Sequence, residues 1–324
     1  MTTLFLATTG GHLRQLAELS ERIAPEGDAL WVTNADHLST SILCDRTAHF
    51  VADVHPRDVR GVLRCVPTAH RLWREWKITR AISTGSGIAL GYLPYLAARG
   101  VSCHYVESAT RVVGPSLTGR LLGRIPLIRL YSQYTGWAGR RWMYAGNIFD
   151  SYQPTKRFAS SGDELRVVVT LGIATGFPFR RLVEHLIPLL TPDGPLARAV
   201  DRRVRTLWQT AGTEVDDLPI RALPSIPSGD FATALRRADI VVSHAGTGSA
   251  VAALEQGRYP ILAPRASARG EIGDDHQKQL GAELTRRGLA LVREPDAITV
   301  DDLIASMSRA IMRNSSPPPF RLRP

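Results

Sequence analysis

Ser243-His-Ala-Gly-Thr-Gly-Ser249 places two glycines, three hydroxyls and an imidazole directly after the apolar run Ile240-Val-Val242. Gly246 and Gly248 permit close backbone approach, Thr247 and Ser249 offer hydroxyls, and a helix starting here would add unpaired N–H groups and the positive end of its dipole. Such a loop suits a phosphate or diphosphate. The alternative is a turn whose glycines serve only the bend. Glu255 follows, about 9 Å along a helix axis from Ser249. It sits in the last turn before Gly257, where a carboxylate opposes the dipole. A placement that costs stability without structural return marks a ligand contact, and a nucleotide's length from the phosphate loop suits a ribose diol. A solvated glutamate is the alternative.

The elements that must hold these residues follow a repeated grammar. Leu4-Phe-Leu-Ala7 leads through Thr8-Thr-Gly-Gly-His12 into the helical spacing Leu13, Leu16, Ala17, Leu19. Arg166-Val-Val-Val169 leads through Thr170-Leu-Gly172 into Leu182, Val183, Leu186, Leu189. Ile82-Ser-Thr-Gly-Ser-Gly87 and the 240–249 segment repeat the device later in each half. Apolar runs alternating with helices through glycine turns predict βα units and parallel sheets. The chain therefore reads as α/β, with an N-terminal domain over 1–150, a polar linker over 151–163, a C-terminal domain over 164–312 and a disordered Pro/Ser/Arg tail over 313–324. Ligands of such sheets bind beyond the carboxyl ends of the strands. Two such domains facing one cleft would gather four glycine loops, an arrangement for joining two substrates.

The 324 residues, 44% hydrophobic and 22% charged, exclude a disulfide miniprotein, a repetitive fibre and a disordered chain. No apolar run approaches the roughly 18 residues of a membrane span, and the N-terminus does not read as a signal peptide. Cys44, Cys65 and Cys103 form no CxxC pair, which fits a reducing cytoplasm and no structural metal. Of the net +10, a block from Arg57 to Arg141 holds 14 basic residues against three acids, with Trp73, Trp76, Trp137 and Trp142 in or beside it. Cations interleaved with indoles suit an anionic membrane surface, so residues 57–142 are expected to dock there. A solvated basic face is the ordinary alternative. No nucleic-acid-binding motif accompanies the block, and nucleic acid is not expected as a partner.

With Ala253-Leu-Glu-Gln-Gly257, Pro260-Ile-Leu-Ala-Pro264 and Asp275-His-Gln277, the 243–249 segment resembles the C-terminal domain of family 28 glycosyltransferases. The nearest likeness is to the donor subunit of the dolichol-pathway N-acetylglucosaminyltransferase and its bacterial exopolysaccharide counterparts. Gly172 with Phe177-Pro-Phe-Arg-Arg-Leu-Val183, and Trp208-Gln-Thr-Ala-Gly212, resemble earlier parts of that domain. Thr9-Gly-Gly-His12, Thr84-Gly-Ser-Gly87, Tyr105-Val-Glu-Ser108 with Arg111, and Ser116-Leu-Thr-Gly-Arg-Leu-Leu122 resemble the partner subunit. The chain is similar to a fusion of the two across about residues 3–300.

The resemblance implies the GT-B fold and an inverting, metal-independent hexosyl transfer from a UDP-sugar, with no cofactor. Gly246, Thr247, Gly248 and Ser249 would hold the diphosphate and Glu255 the ribose. Gly172, Gln209, Thr210 and His244 would complete the donor site. Asp275, His276 and Gln277 would approach the donor sugar or diphosphate; helix capping by Asp274 or Asp275 is the structural alternative. Arg265 and Arg269 would add positive charge for the leaving diphosphate, or stand as solvated loop arginines. Gly10, Gly11, Gly85, Gly87 and Arg111 would form the acceptor loops.

Inversion needs one general base, and His12 is the first candidate, because a helix N-terminus keeps its imidazole neutral. A histidine bonded to a neighbouring loop is the alternative. Glu107 is the second candidate base, or an anchor for Arg111 or a loop. The acceptor would be a polyprenyl-diphosphate-linked saccharide, and the site of action the cytoplasmic side of the plasma membrane. The partner subunit's N-terminal membrane helix has no counterpart, so Val59, Val62, Leu63, Val66, Leu72, Trp73 and Trp76 would form the docking surface, in two short helices divided at Pro67. A UDP-sugar 2-epimerase and a non-catalytic nucleotide-sugar binder are the competing functions.

Overall fold

The structure is a computed structural model describing residues 1–23, 27–54, 58–157, 162–173 and 176–323. It divides into two units: Met1–Asp150 with the tail from Ser316, and Ser151–Ser315. Arg57, the first residue of the basic block, and residues 158–161 of the expected linker lie outside the described residues.

The first unit runs β1 (Thr2–Ala7), α1 (Gly11–Ile23), β2 (Asp28–Asn34), α2 (His37–Ile42), β3 (Ala48–Val51), α3 (Val59–Trp76), β4 (Ile78–Gly85), α4 (Gly87–Ala97), β5 (Ser102–Val106), α5 (Leu117–Leu122), β6 (Ile128–Ser132) and β7 (Trp142–Tyr144). Its parallel sheet has the order β3-β2-β1-β4-β5-β6-β7. β1 is buried throughout, as a central strand covered on both faces must be. One core, including Leu4, Leu6, Ile88, Tyr92 and Tyr105, covers one face of the sheet, and Phe5, Leu13, Leu16 and Trp31 cover the other. The order reverses between β1 and β4, so the loops carrying His12 and Gly85 emerge at the switch point, where such sheets bind ligands.

The second unit contains β8 (Tyr152–Lys156), β9 (Glu164–Thr170), α6 (Arg180–Leu189), α7 (Pro195–Val200), β10 (Arg203–Gln209), β11 (Ala222–Leu223), α8 (Ser228–Arg237), β12 (Ile240–His244), α9 (Thr247–Glu255), β13 (Ile261–Ala263), α10 (His276–Arg286), β14 (Leu291–Val292), α11 (Val300–Met307) and β15 (Arg309–Arg313). The parallel order β11-β10-β9-β12-β13-β14 repeats the topology of the first unit, with its switch point between β9 and β12. Both units are thus Rossmann-like.

Three expectations change. Residues 152–156, assigned to the linker, form β8, which pairs antiparallel with β15. The tail is ordered because it has a partner. Phe320 is 3% exposed, Arg22 Nε and Nη2 donate to the Pro318 carbonyl at 3.0 and 2.6 Å, and the Arg321 amide donates to the Ala145 carbonyl. α3 is one 18-residue helix with Pro67 inside it. Gly61, Cys65, Ala69 and Leu72 keep a single buried face across the proline, and that packing offsets the bond Pro67 cannot make. Gly91 of α4 lets the helices meet, since a Cβ there would stand 2.5 Å from Cys65 Cβ.

Candidate active site

In the first unit, the loop after β1 and the loop after β4 are sewn together. The Thr8 amide donates to the Gly85 carbonyl at 2.9 Å, and the Ser86 amide donates to Thr8 Oγ1 at 3.1 Å. His12 is the second residue of α1. Its Nδ1 lies 2.6 Å from the Thr84 carbonyl, and Thr84 Oγ1 donates to the His12 carbonyl at 2.8 Å. A carbonyl only accepts, so Nδ1 carries the proton and Nε2 is the basic nitrogen. The loop bond and the base role are therefore compatible: the bond fixes the tautomer a base needs. The structure brings Gly10, Gly11, Gly85 and Gly87 to this same switch point.

Glu107 directly follows β5 and is 1% exposed. One carboxylate oxygen accepts from the Ser108 amide and the Tyr105 hydroxyl, and the other from the Ser116 amide and hydroxyl. Burial raises its pKa against the pull of those donors. A carboxylate holding four donors serves as the anchor of the 108–116 loop. The base candidacy of Glu107 therefore has no geometric support. Gln15, which the motifs did not reveal, fastens the other end of the loop: its Nε2 donates to Ser108 Oγ at 3.1 Å, and its Oε1 accepts from the Ala109 amide at 2.8 Å. A buried glutamine on the apolar face of α1 was the available signal. Arg111 lies on this loop, its amide donating to the Ser108 carbonyl.

In the second unit, Gly246 caps α9 and no side chain occupies the cap, leaving the first-turn N–H groups to the loop's surroundings. Gly248 and Glu255 are seven residues apart and share a helix face, separated by about 10 Å along the axis. Both are half-buried. The His244 ring is wedged between two loops. A Cβ on Gly172 would stand 2.6 Å from His244 Cε1, and one on Gly246 would stand 2.3 Å from His244 Nε2. Gly172 also has φ +85°, a left-handed conformation that favours glycine. Burial, then the positive charge of Arg265, push the His244 pKa down to about 3, against a smaller pull from a backbone bond at Thr170. The ring is neutral at physiological pH.

Gln209 Nε2 donates to the Gly172 carbonyl at 2.9 Å, while its Oε1 is buried without a partner among the described residues. Thr210 follows at the end of β10, its amide donating to the Leu223 carbonyl.

The 274–277 segment behaves differently from the expectation. Asp275 is the cap residue of α10, yet its carboxylate accepts from the Ser267 amide and hydroxyl at 3.2 and 2.7 Å. Gln277, 3% exposed, accepts from the Arg265 amide at 3.0 Å, and His276 contacts Asp274. Asp275 and Gln277 thus brace the 264–270 loop. Arg269 is exposed, but Arg265, expected to be solvated, is 2% exposed.

In the basic block, Leu72 is buried and Val62 and Trp73 pack against the core, with Arg99 5.4 Å from the Trp73 ring. Of the apolar residues proposed for docking, Val59, Leu63 and Trp76 remain exposed. Among the described residues, no helix is long and apolar enough to cross a membrane. A cavity of about 550 Å³ lies between β7 and the tail, lined by Tyr131, Trp142, Tyr144, Arg321 and Arg323 among others and by none of the loop residues above.

Residues 220–319 match the glycosyltransferase family 28 C-terminal domain. Over 94% of its length the chain is 27% identical to UDP-N-acetylglucosamine–N-acetylmuramyl-(pentapeptide) pyrophosphoryl-undecaprenol N-acetylglucosamine transferase of Parasynechococcus marenigrum, covering 87% of that protein. Among solved structures it is similar to MurG of Acinetobacter baumannii (TM-score 0.55, 17% identity, 93% and 88% of the two chains). It is also similar to a UDP-N-acetylglucosamine 2-epimerase of Listeria monocytogenes (0.59, 12%, 94% and 86%). At these identities the structural likenesses speak for the fold, which transferases and epimerases share. The matched domain over residues 220–319, the full-length sequence likeness and the two Rossmann-like units of GT-B fold together support a family 28-like glycosyltransferase.

Proposed function

We infer that the protein is an inverting UDP-sugar-dependent hexosyltransferase whose acceptor is a polyprenyl-diphosphate-linked saccharide. The observation that carries this reading is the uncapped N-terminus of α9 beneath Gly246, at the switch point of the second unit. The likeness to a transferase named for a pyrophosphoryl-undecaprenol acceptor supports the acceptor class.

Gly246, Thr247, Gly248 and Ser249 hold the diphosphate, Glu255 the ribose, and Gly172, Gln209, Thr210 and His244 complete the donor site. Asp275 and Gln277 act by bracing the loop beside it, and His276 stands at its helix start. Gly10, Gly11, Gly85, Gly87 and Arg111 receive the acceptor. In the transfer, the acceptor hydroxyl oxygen bonds to the anomeric carbon as that carbon's bond to the diphosphate oxygen breaks. His12 Nε2 takes the hydroxyl proton, and UDP departs with the electron pair. Attack opposite the leaving group inverts the centre. The N–H groups and dipole of α9 stabilise the charge on the leaving diphosphate, so this reading assigns no metal or cofactor.

A lipid-linked acceptor requires a membrane surface, and the first unit has suitable exposed residues. On α3, Val59 and Leu63 are exposed, with Arg60 and Arg64 next to them in sequence and the exposed Arg71 and Arg74 further along the helix. Over residues 113–127, Val113, Leu117, Leu121 and Leu127 stand beside Arg120 and Arg124. Apolar residues with cations at their rim suit an anionic bilayer. The protein on this reading works peripherally at the cytoplasmic face of the plasma membrane, in exopolysaccharide or related glycan synthesis.

UDP release from UDP-sugars with a polyprenyl-diphosphate-sugar acceptor, with and without EDTA, tests the reading. Turnover in EDTA is expected, and absolute dependence on a divalent metal would overturn the mechanism. An epimerised or free sugar from UDP-N-acetylglucosamine alone would assign a 2-epimerase, and UDP binding without turnover a non-catalytic binder. His12→Ala is expected to lower kcat by about 10²–10⁴-fold while UDP affinity stays within twofold. Unchanged kcat would remove His12 as the base.

A further inference from the structure

Arg265 follows β13, at the carboxyl end of the sheet that also presents the 243–249 loop. Its guanidinium is buried, with Nη2 donating to the Leu171 carbonyl at 3.0 Å and the Phe179 ring 5.1 Å away. Its Nε has no hydrogen-bond partner, and no carboxylate forms an ion pair with it among the described residues. The acid that acts on it at longer range, Glu271, is committed elsewhere. Glu271 accepts from Arg181 Nε and Nη2, both at 3.1 Å, and from the Ala266 amide at 2.8 Å. A buried cation without a counter-charge is expensive, and proteins retain one where something else neutralises it.

The neighbouring strand ends carry three more incomplete groups. His244 Nδ1, Thr247 Oγ1 and Gln209 Oε1 are buried and lack partners among the described residues. His244 and Gln209 end β12 and β10, Thr247 opens α9 after β12, and Arg265 bonds the carbonyl just before Gly172, after β9. Three strands of one sheet, β10, β12 and β13, thus bring a cation, a hydroxyl, an imidazole nitrogen and an amide oxygen to one end, each short of a partner. An anion bearing hydroxyls would complete them, whereas a neutral apolar ligand would leave all four costs in place.

We propose that Arg265 is the counter-cation of the donor, its buried charge compensated when an anionic group of the nucleotide-sugar enters the second unit. This rests on the donor reading above and adds the residue that answers the donor's charge. The anion is either the diphosphate or a carboxylate on the sugar.

The test is calorimetric titration of the full chain with uridine, UDP, UDP-glucose and UDP-glucuronate, for the wild type, Arg265→Met and Arg265→Lys. Arg265→Met is expected to lose at least tenfold of the UDP-over-uridine preference, or of the UDP-glucuronate-over-UDP-glucose preference, with uridine affinity within twofold. The first loss assigns the diphosphate, the second the sugar carboxylate. Arg265→Lys, which keeps the charge, is expected to recover most of it. Where the Met variant does not fold, Arg265→Gln, able to donate to the Leu171 carbonyl, supplies the neutral arm. Both preferences unchanged in the neutral variant, or an equal loss for every ligand including uridine, would overturn the proposal and leave the donor reading standing. A wild type that binds no uridine compound would overturn both.

Discussion

Glu107 and His12 are both candidates for the base, and their hydrogen-bond partners differ. His12 spends one nitrogen on the Thr84 carbonyl, which leaves the other defined as an acceptor, whereas Glu107 has committed both oxygens to four donors. Glu107→Ala would strand those donors in a buried site. It is expected to cost about 3 kcal/mol of unfolding free energy, taking roughly 1–3 kcal/mol per stranded group and allowing for relaxation. Urea denaturation measures this, and a loss below 0.5 kcal/mol would contradict the anchoring role. Residue identity was enough to find the pair in the sequence. It could not assign their roles, because those depend on Ser116 and Thr84, nine and 72 residues away.

At the scale of elements, the glycine loops and their strands were legible because local grammar sets them: an apolar run, a tight turn, a helical period. The continuity of α3 through Pro67 was not, since it depends on a face shared with α4. The tail escaped notice for the same reason. Its composition reads as disordered, and its seat is supplied by residues far away in sequence: Arg22, almost 300 residues earlier, with the Ala145 carbonyl and the Tyr131 hydroxyl. Arg22→Ala removes charged donors to Pro318 and Asn147 and the cation near Phe320. Hydrogen bonds to a charged group contribute about 1.5–3 kcal/mol. The variant should therefore expose Arg321 and Arg323 to trypsin about tenfold faster than in the wild type. Equal cleavage rates, followed by mass spectrometry, would show that the tail is held by something else.

For the whole molecule, two histidines tie stability to acidity. His104, fully buried, has its pKa pushed down to about 3 by burial and by Arg80 and Arg129, and His244 is lowered to the same value. Both are neutral in the fold, while the unfolded chain protonates them below about 6.5. The unfolded state thus binds more protons between pH 6.5 and about 3, and stability falls as pH drops through that window. Glu107, raised by burial, acts oppositely: its contribution is lost as pH rises from its ordinary value through its raised one. Urea midpoints at pH 7, 6 and 5 should decline in order, more shallowly in His104→Gln, and a flat profile would refute the assignment.

The imidazole wedged between Gly172 and Gly246 makes three scattered positions answer to one another. While that ring is present, any mutation adding a carbon at either glycine must displace it; once a smaller residue replaces it, the space beside Gly246 opens, though the left-handed backbone at Gly172 still favours glycine. A side chain at Gly246 therefore becomes admissible only after the histidine has changed, and recombination that separates these codons would meet a penalty neither parent carries.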